Sequence, residues 1–184
     1  MKLGKLSLAF ATAVLFVTSL SAAGMGKNHK ALPFGNSIEV GYAQLLWDKM
    51  EDMGLNSTPG VLYVGGPPHG KVREVLEGKI NGKRVIVKRN FGGPDLNMEN
   101  VSMNRAKYLK AITVMVRMEK GYDSKNGDWF WAKYKADGSL HKTPKGMKLA
   151  GKVPGCISCH SSASGNDLVF KHNKEANAPV VFVK

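Results

Sequence analysis

The chain has 184 residues, with 27 Lys and Arg against 14 Asp and Glu, a formal net charge of +13. At 43% hydrophobic and 22% charged residues it has the composition of one ordinary globular domain, and collagen, coiled coil and disordered tail are excluded. Two cysteines are too few for a disulfide-built secreted scaffold, so the core must come from apolar burial or a cofactor.

Lys2 and Lys5 precede an uncharged apolar stretch from Leu6 to Leu20, and Ser21-Ala22-Ala23 ends in small residues. This pattern predicts a cleaved signal peptide over 1–23, too short in its apolar part to span a bilayer. The mature protein is then periplasmic, with no stable membrane insertion. Residues 24–35 are polar and predicted flexible, and 36–184 form the domain. Asn36-Ser37 predicts a helix cap, followed by Ile38, Tyr42, Leu45, Leu46, Met50 and Met53 on one face and closed by Gly54. Val61–Val64 reads as a short β run. Lys71–Ile80 and Lys83–Lys88 flank Asn81-Gly82, the dipeptide suited to a two-residue hairpin turn, and so predict an antiparallel pair. Phe91–Asn100 reads as loop and Met103–Leu109 as a short helical turn. In Ala111–Met118 the residues Ile112, Val114, Val116 and Met118 alternate with Thr113, Met115 and Arg117, which predicts a strand with one apolar face. The aromatic run Asp128–Tyr134 is the next strand, ending at Asp137-Gly138.

Gly155-Cys156-Ile157-Ser158-Cys159-His160 is a C-x-x-C-H sequence. Two thiols at this spacing can form thioethers to one haem, and the next residue supplies an imidazole to its iron. A thioredoxin-like dithiol would lie early in a βαβ unit, and a zinc site would need a second ligand pair. No methionine follows Met147, so a sixth ligand comes from upstream, from His29, His69, a lysine or an earlier Met, or the iron keeps an open face. The strand-rich middle of the chain does not suit a four-helix cytochrome. The lysines are scattered, with no nucleic-acid motif to organise them, so they read as a solvated surface or as a docking field for an acidic redox partner rather than as a nucleic-acid site.

The ordered set Ile112–Val116, Gly121-Tyr122, Gly127–Tyr134, Asp137-Gly138, Gly155–His160 and Asn166-Asp167-Leu168-Val169-Phe170 resembles the cytochrome P-460 family, which includes the cytochromes c′-beta. The resemblance implies an α+β fold, an antiparallel β-sheet with a few packing helices around a single covalently bound c-type haem. It also implies a homodimer and a five-coordinate iron with His160 as proximal ligand and Cys156 and Cys159 as haem thioethers. The small ligand would be a nitrogen compound, hydroxylamine or nitric oxide, oxidised with electrons passed to an external acceptor, or bound without turnover as in the c′-beta relatives. In hydroxylamine-oxidising members a strand lysine is bonded to the porphyrin edge, and Lys88 is the position matched to it. Phe34 and Phe91 are candidates for the distal pocket, and Arg105 and Arg117 for haem propionates. Residues 145–152 hold no Asp or Glu, which leaves Asp95, Glu99 or Glu119 as candidates for a distal acid.

Overall fold

The computed structural model describes residues 32–165, 167–170 and 180–184. The expected signal peptide therefore lies outside the described residues, as do His29 and Asn166. Among the described residues no helix is long and apolar enough to cross a membrane.

Helix α1, Ser37–Asp52, begins where the Asn36 side chain accepts from the backbone N–H of Ile38 at 3.0 Å and of Glu39 at 3.2 Å. Asn36 thereby satisfies two orphan donors of the first turn, and the Glu39 carboxylate accepts from the Gly35 N–H at 3.1 Å, tying down the residue before the cap. Asn36→Ala is expected to cost about 1 kcal/mol, read as a drop of about 2–4 °C in the thermal midpoint.

The sheet follows in sequence order: β1 (Tyr63–Val64), β2 (Val72–Ile80), β3 (Lys83–Phe91), β4 (Leu109–Arg117), β5 (Trp129–Tyr134) and β6 (Ala150–Gly151), each antiparallel to the next. A last strand, β7 (Val181–Phe182), runs parallel to β2. Short helices α2 (Met98–Met103) and α3 (Arg105–Tyr108) fill the connection between β3 and β4, and α4 (Pro154–His160) follows β6. The β2–β3 turn has φ of 49° at Asn81 and 76° at Gly82, the left-handed pair that the dipeptide favours. The fold class is α+β, as expected. Differences are local: β3 runs three residues beyond Lys88, and the loop over 91–100 already enters α2.

One sheet face is closed by α1. Ala43, Leu46 and Met50 pack with Leu76, Val85, Val87, Ile112, Val114, Val116 and Phe130 in the main core, and the Tyr134 hydroxyl donates to the Ala43 carbonyl at 2.7 Å. The stripe expected on α1 is rotated: Ile38 and Leu45 are 71% and 66% exposed. A 3.6-residue period centred on Ala43, Leu46 and Met50 leaves those two on the outer side. On the same sheet face Glu74 is fully buried between two arginines, with Arg89 Nε at 3.0 Å and Arg105 Nε at 3.1 Å, and it accepts from the Gly60 N–H at 2.9 Å. Arg89 also donates to the carbonyls of Asn56 and Thr58, sewing the loop after α1 to the sheet.

Candidate functional site

The opposite sheet face carries the second apolar cluster, including Val75, Ile86, Met115, Trp129 and Trp131. It does not pack solid: a cavity of about 400 Å³ lies between it and α4. Its floor follows from strand alternation. Lys88 faces Thr113 across β3 and β4, Ile86 faces Met115, and on β5 Lys133 and Trp131 continue the two rows; all six line the cavity. Lys133 was missed by sequence reasoning, although the alternation of Trp129, Trp131 and Lys133 against Phe130, Ala132 and Tyr134 carries the signal.

Helix α4 forms the other wall. Pro154 sits in its first turn, where a missing N–H costs nothing. Cys156, Cys159 and His160 then stand at i, i+3 and i+4, one stripe of one helix, and all three line the cavity. The His160 ring is buried against Trp131 at 4.7 Å and Phe170 at 5.2 Å between centroids. Its Nδ1–H donates to the Leu168 carbonyl at 2.7 Å, which leaves Nε2 as the nitrogen for a metal. Burial pushes its pKa down, towards the neutral form that ligates. Burial pushes the Cys156 thiol up to about 11, opposite to the activated thiolate of a redox dithiol. Both cysteines are free.

Phe34 lines the cavity from a turn that is tied to the sheet by Gly35 N–H donating to the Ala150 carbonyl at 2.8 Å. That turn belongs to the stretch 24–35 predicted flexible, so the predicted boundary is one turn too late. Phe91 does not reach the cavity: fully buried, it packs with Val72, Val101 and Tyr108 in a third cluster. Phe91 is three residues from Lys88 on the same strand, and an odd separation puts the two on opposite faces. Arg105 binds Glu74, and Arg117 lies over the Trp129 ring at 4.8 Å, so neither lines the cavity. Asp95, Glu99 and Glu119 are exposed and outside it, Glu119 pairing with Lys83 at 3.3 Å. Among the described lining residues there is no carboxylate; the polar groups are those of His69, Lys88, Thr113, Trp131, Lys133, Thr143 and the α4 stripe.

Lys88 is only 6% exposed, and burial, with the charge of Arg73 next, lowers its pKa from 10.5 to about 7. Between those two values the unfolded chain binds the proton that the folded one refuses, so stability rises with pH from about 7 to 10.5 and the full penalty applies below 7. In the haem-free protein Lys88→Met is expected to stabilise the fold by about 2–4 kcal/mol at pH 6 and by almost nothing at pH 11. Thermal unfolding of both forms at the two pH values checks this.

The residues present fit a haem attached through α4. Two thiols and one imidazole share a helical stripe, the walls are mainly apolar, and the buried Trp131 Nε1 donor has no partner among the described residues, which leaves it for an acceptor on a bound group. Among the described residues no three His, Cys, Asp or Glu groups come together as a protein-only metal site.

A model of the family described as Cytochrome P460 matches residues 73–171, more than half of the chain. The match covers the strands β3 to β6, all of α4 and nearly all of β2. No curated protein and no solved structure matches it.

Proposed function

We propose, for a chain that belongs to the cytochrome P-460 family and is therefore a haem cytochrome, that it is an exported mono-haem c-type protein acting on a small nitrogen compound, hydroxylamine or nitric oxide. The observation that carries this reading is the α4 stripe of Cys156, Cys159 and His160 opening onto an apolar cavity beside a buried lysine. The haem, when bound, supplies one-electron chemistry and a site for a small ligand.

The chain's own residues do the rest. Cys156 and Cys159 would hold the group by thioethers, and His160, oriented by Leu168, would offer Nε2 to the iron. Phe34, Ile86, Met115 and Val153 keep bulk water from the ligand. Lys88 is the strand lysine that the family resemblance would put at the porphyrin edge, and the burial that lowers its pKa favours a neutral amine facing that edge. Each electron taken from hydroxylamine leaves a proton to be placed, and with no carboxylate among the described lining residues the cavity nitrogens are the available acceptors.

The net charge of +13, which becomes +11 once Lys2 and Lys5 leave with residues 1–23, supports an acidic redox protein as electron acceptor, and the exposed Ile38 and Leu45 on α1 support a homodimer. Export supports a mature chain that begins at Gly24, checked by the intact mass of the secreted protein.

The test is hydroxylamine added to the holoprotein with an artificial acceptor. Reduction of the acceptor that depends on the protein supports oxidation, and its absence removes that reaction. The lack of a carboxylate among the described lining residues favours the second reading, binding of nitric oxide without turnover, which requires a ferrous form that takes up nitric oxide stoichiometrically.

A further inference from the structure

The carbonyl that receives the His160 Nδ1–H at 2.7 Å belongs to Leu168, and Leu168 presents it from a backbone φ of 62°. A leucine enters this left-handed region only where its surroundings hold it there, because its Cβ crowds the following carbonyl.

The surroundings that hold it are specific. Trp129, fully buried on β5, donates from Nε1 to the Asp167 carbonyl at 2.6 Å. The Asp167 carboxylate accepts from the Val169 N–H at 3.2 Å and from Arg84 Nη1 of β3 at 3.4 Å. The peptides on both sides of Leu168 are thereby pinned, one by an indole of the sheet and the other by the neighbouring carboxylate. Trp129 has little room to follow a shift, since the Arg84 and Arg117 guanidiniums lie over its ring at 5.8 and 4.8 Å. Arg84 is fixed in turn by both carboxylate oxygens of Glu77, at 2.6 and 2.9 Å. Trp129, Asp167, Leu168 and Arg84 do not line the cavity, and their hydrogen-bonded link to it is the His160 ring.

We infer that Trp129 and Asp167 are positioning residues for His160: they hold Leu168 in its left-handed conformation, so that its carbonyl draws on the Nδ1 proton and makes Nε2 a stronger donor, which favours ferric over ferrous iron. The inference rests on the haem attachment and His160 ligation proposed above, and it concerns the His160 side of the iron alone.

The test uses the holoprotein. No haem stain on the denatured wild-type chain, or no iron–histidine stretch in the resonance Raman spectrum of the reduced wild type, removes the reading on which the inference rests, and the inference with it. With both present, a failure below falls on the inference alone. Asp167→Ala, at a half-exposed position, is expected to favour ferrous over ferric iron by about tenfold, about 59 mV upward for one electron. The iron–histidine stretch should move to lower frequency. Trp129→Phe should shift both in the same direction, and because it changes no charge, a shared shift is not the loss of the Asp167 carboxylate. Leu168→Gly added to Asp167→Ala should recover most of the shift, since glycine takes the left-handed conformation unaided. A merely structural role would lower the thermal midpoint and leave potential and stretch where they were. Values unchanged in both single variants, a shift in the opposite direction, or no recovery with glycine overturns the inference.

Discussion

Replacing Cys156 and Cys159 together with serine is expected to abolish covalent haem completely, with no haem stain on a denaturing gel and no haem-bearing peptide by mass spectrometry. Both cysteines of the chain lie on one stripe of α4 facing the cavity, so no other thiol can substitute. Either single variant keeps one attachment point and should retain a weakened stain. His160→Ala keeps both thiols and should keep the stain while changing the spectrum, which separates attachment from ligation. The main core between α1 and the sheet contains no α4 residue, so far-ultraviolet circular dichroism of the double variant should still report a folded sheet.

Removing the carboxylate from the buried ion cluster is expected to be the largest purely structural loss. Glu74→Gln preserves shape but leaves Arg89, 4% exposed, without a counter-charge. Arg105 is half-buried and can turn to water; Arg89, held by the Asn56 and Thr58 carbonyls, cannot. Breaking a buried pair on one side costs about 3–5 kcal/mol, a fall of about 6–20 °C in the thermal midpoint at this size. Replacing the pair together, Glu74→Leu with Arg89→Met, should recover most of the loss, because no charge is then stranded. Glu74 lies on the sheet face away from the cavity, so haem attachment should be unchanged in both forms. Chemical and thermal unfolding of the two variants against wild type measures the difference.

What the sequence made legible was local chemistry with a fixed period or spacing. Asn81-Gly82 announces its hairpin because few residue pairs accept two positive φ angles. Ile112, Val114 and Val116 announce the core side of β4 by alternation, and the spacing of Cys156, Cys159 and His160 announces the α4 stripe. Phe91 was misplaced although its odd separation from Lys88 already put the two on opposite sides, a rule that needs both residues assigned to one unbroken strand. The outward turn of Ile38 and Leu45 was illegible because Ala43, small and apolar, carries no strong periodic signal yet takes the closest approach to the sheet. His69 belongs to no periodic element. It reaches the cavity only because the antiparallel pairing of β1 and β2 folds its loop back to where Arg73 can hold it, a contact that no local pattern encodes.

The flanks of the sheet constrain how one copy of the chain can meet another. The outer side of β2 is covered in two pieces, by β1 at Val72 and Arg73 and by β7 at Leu76 and Glu77, while β5 is flanked by the two residues of β6. Such stubs give a neighbouring chain almost no row of free backbone groups to extend, which guards against ribbon-like polymerisation. Any pairing of two copies along the sheet edge would have only these short stubs to extend, a far smaller set of backbone partners than the nine-residue strands at the centre could offer.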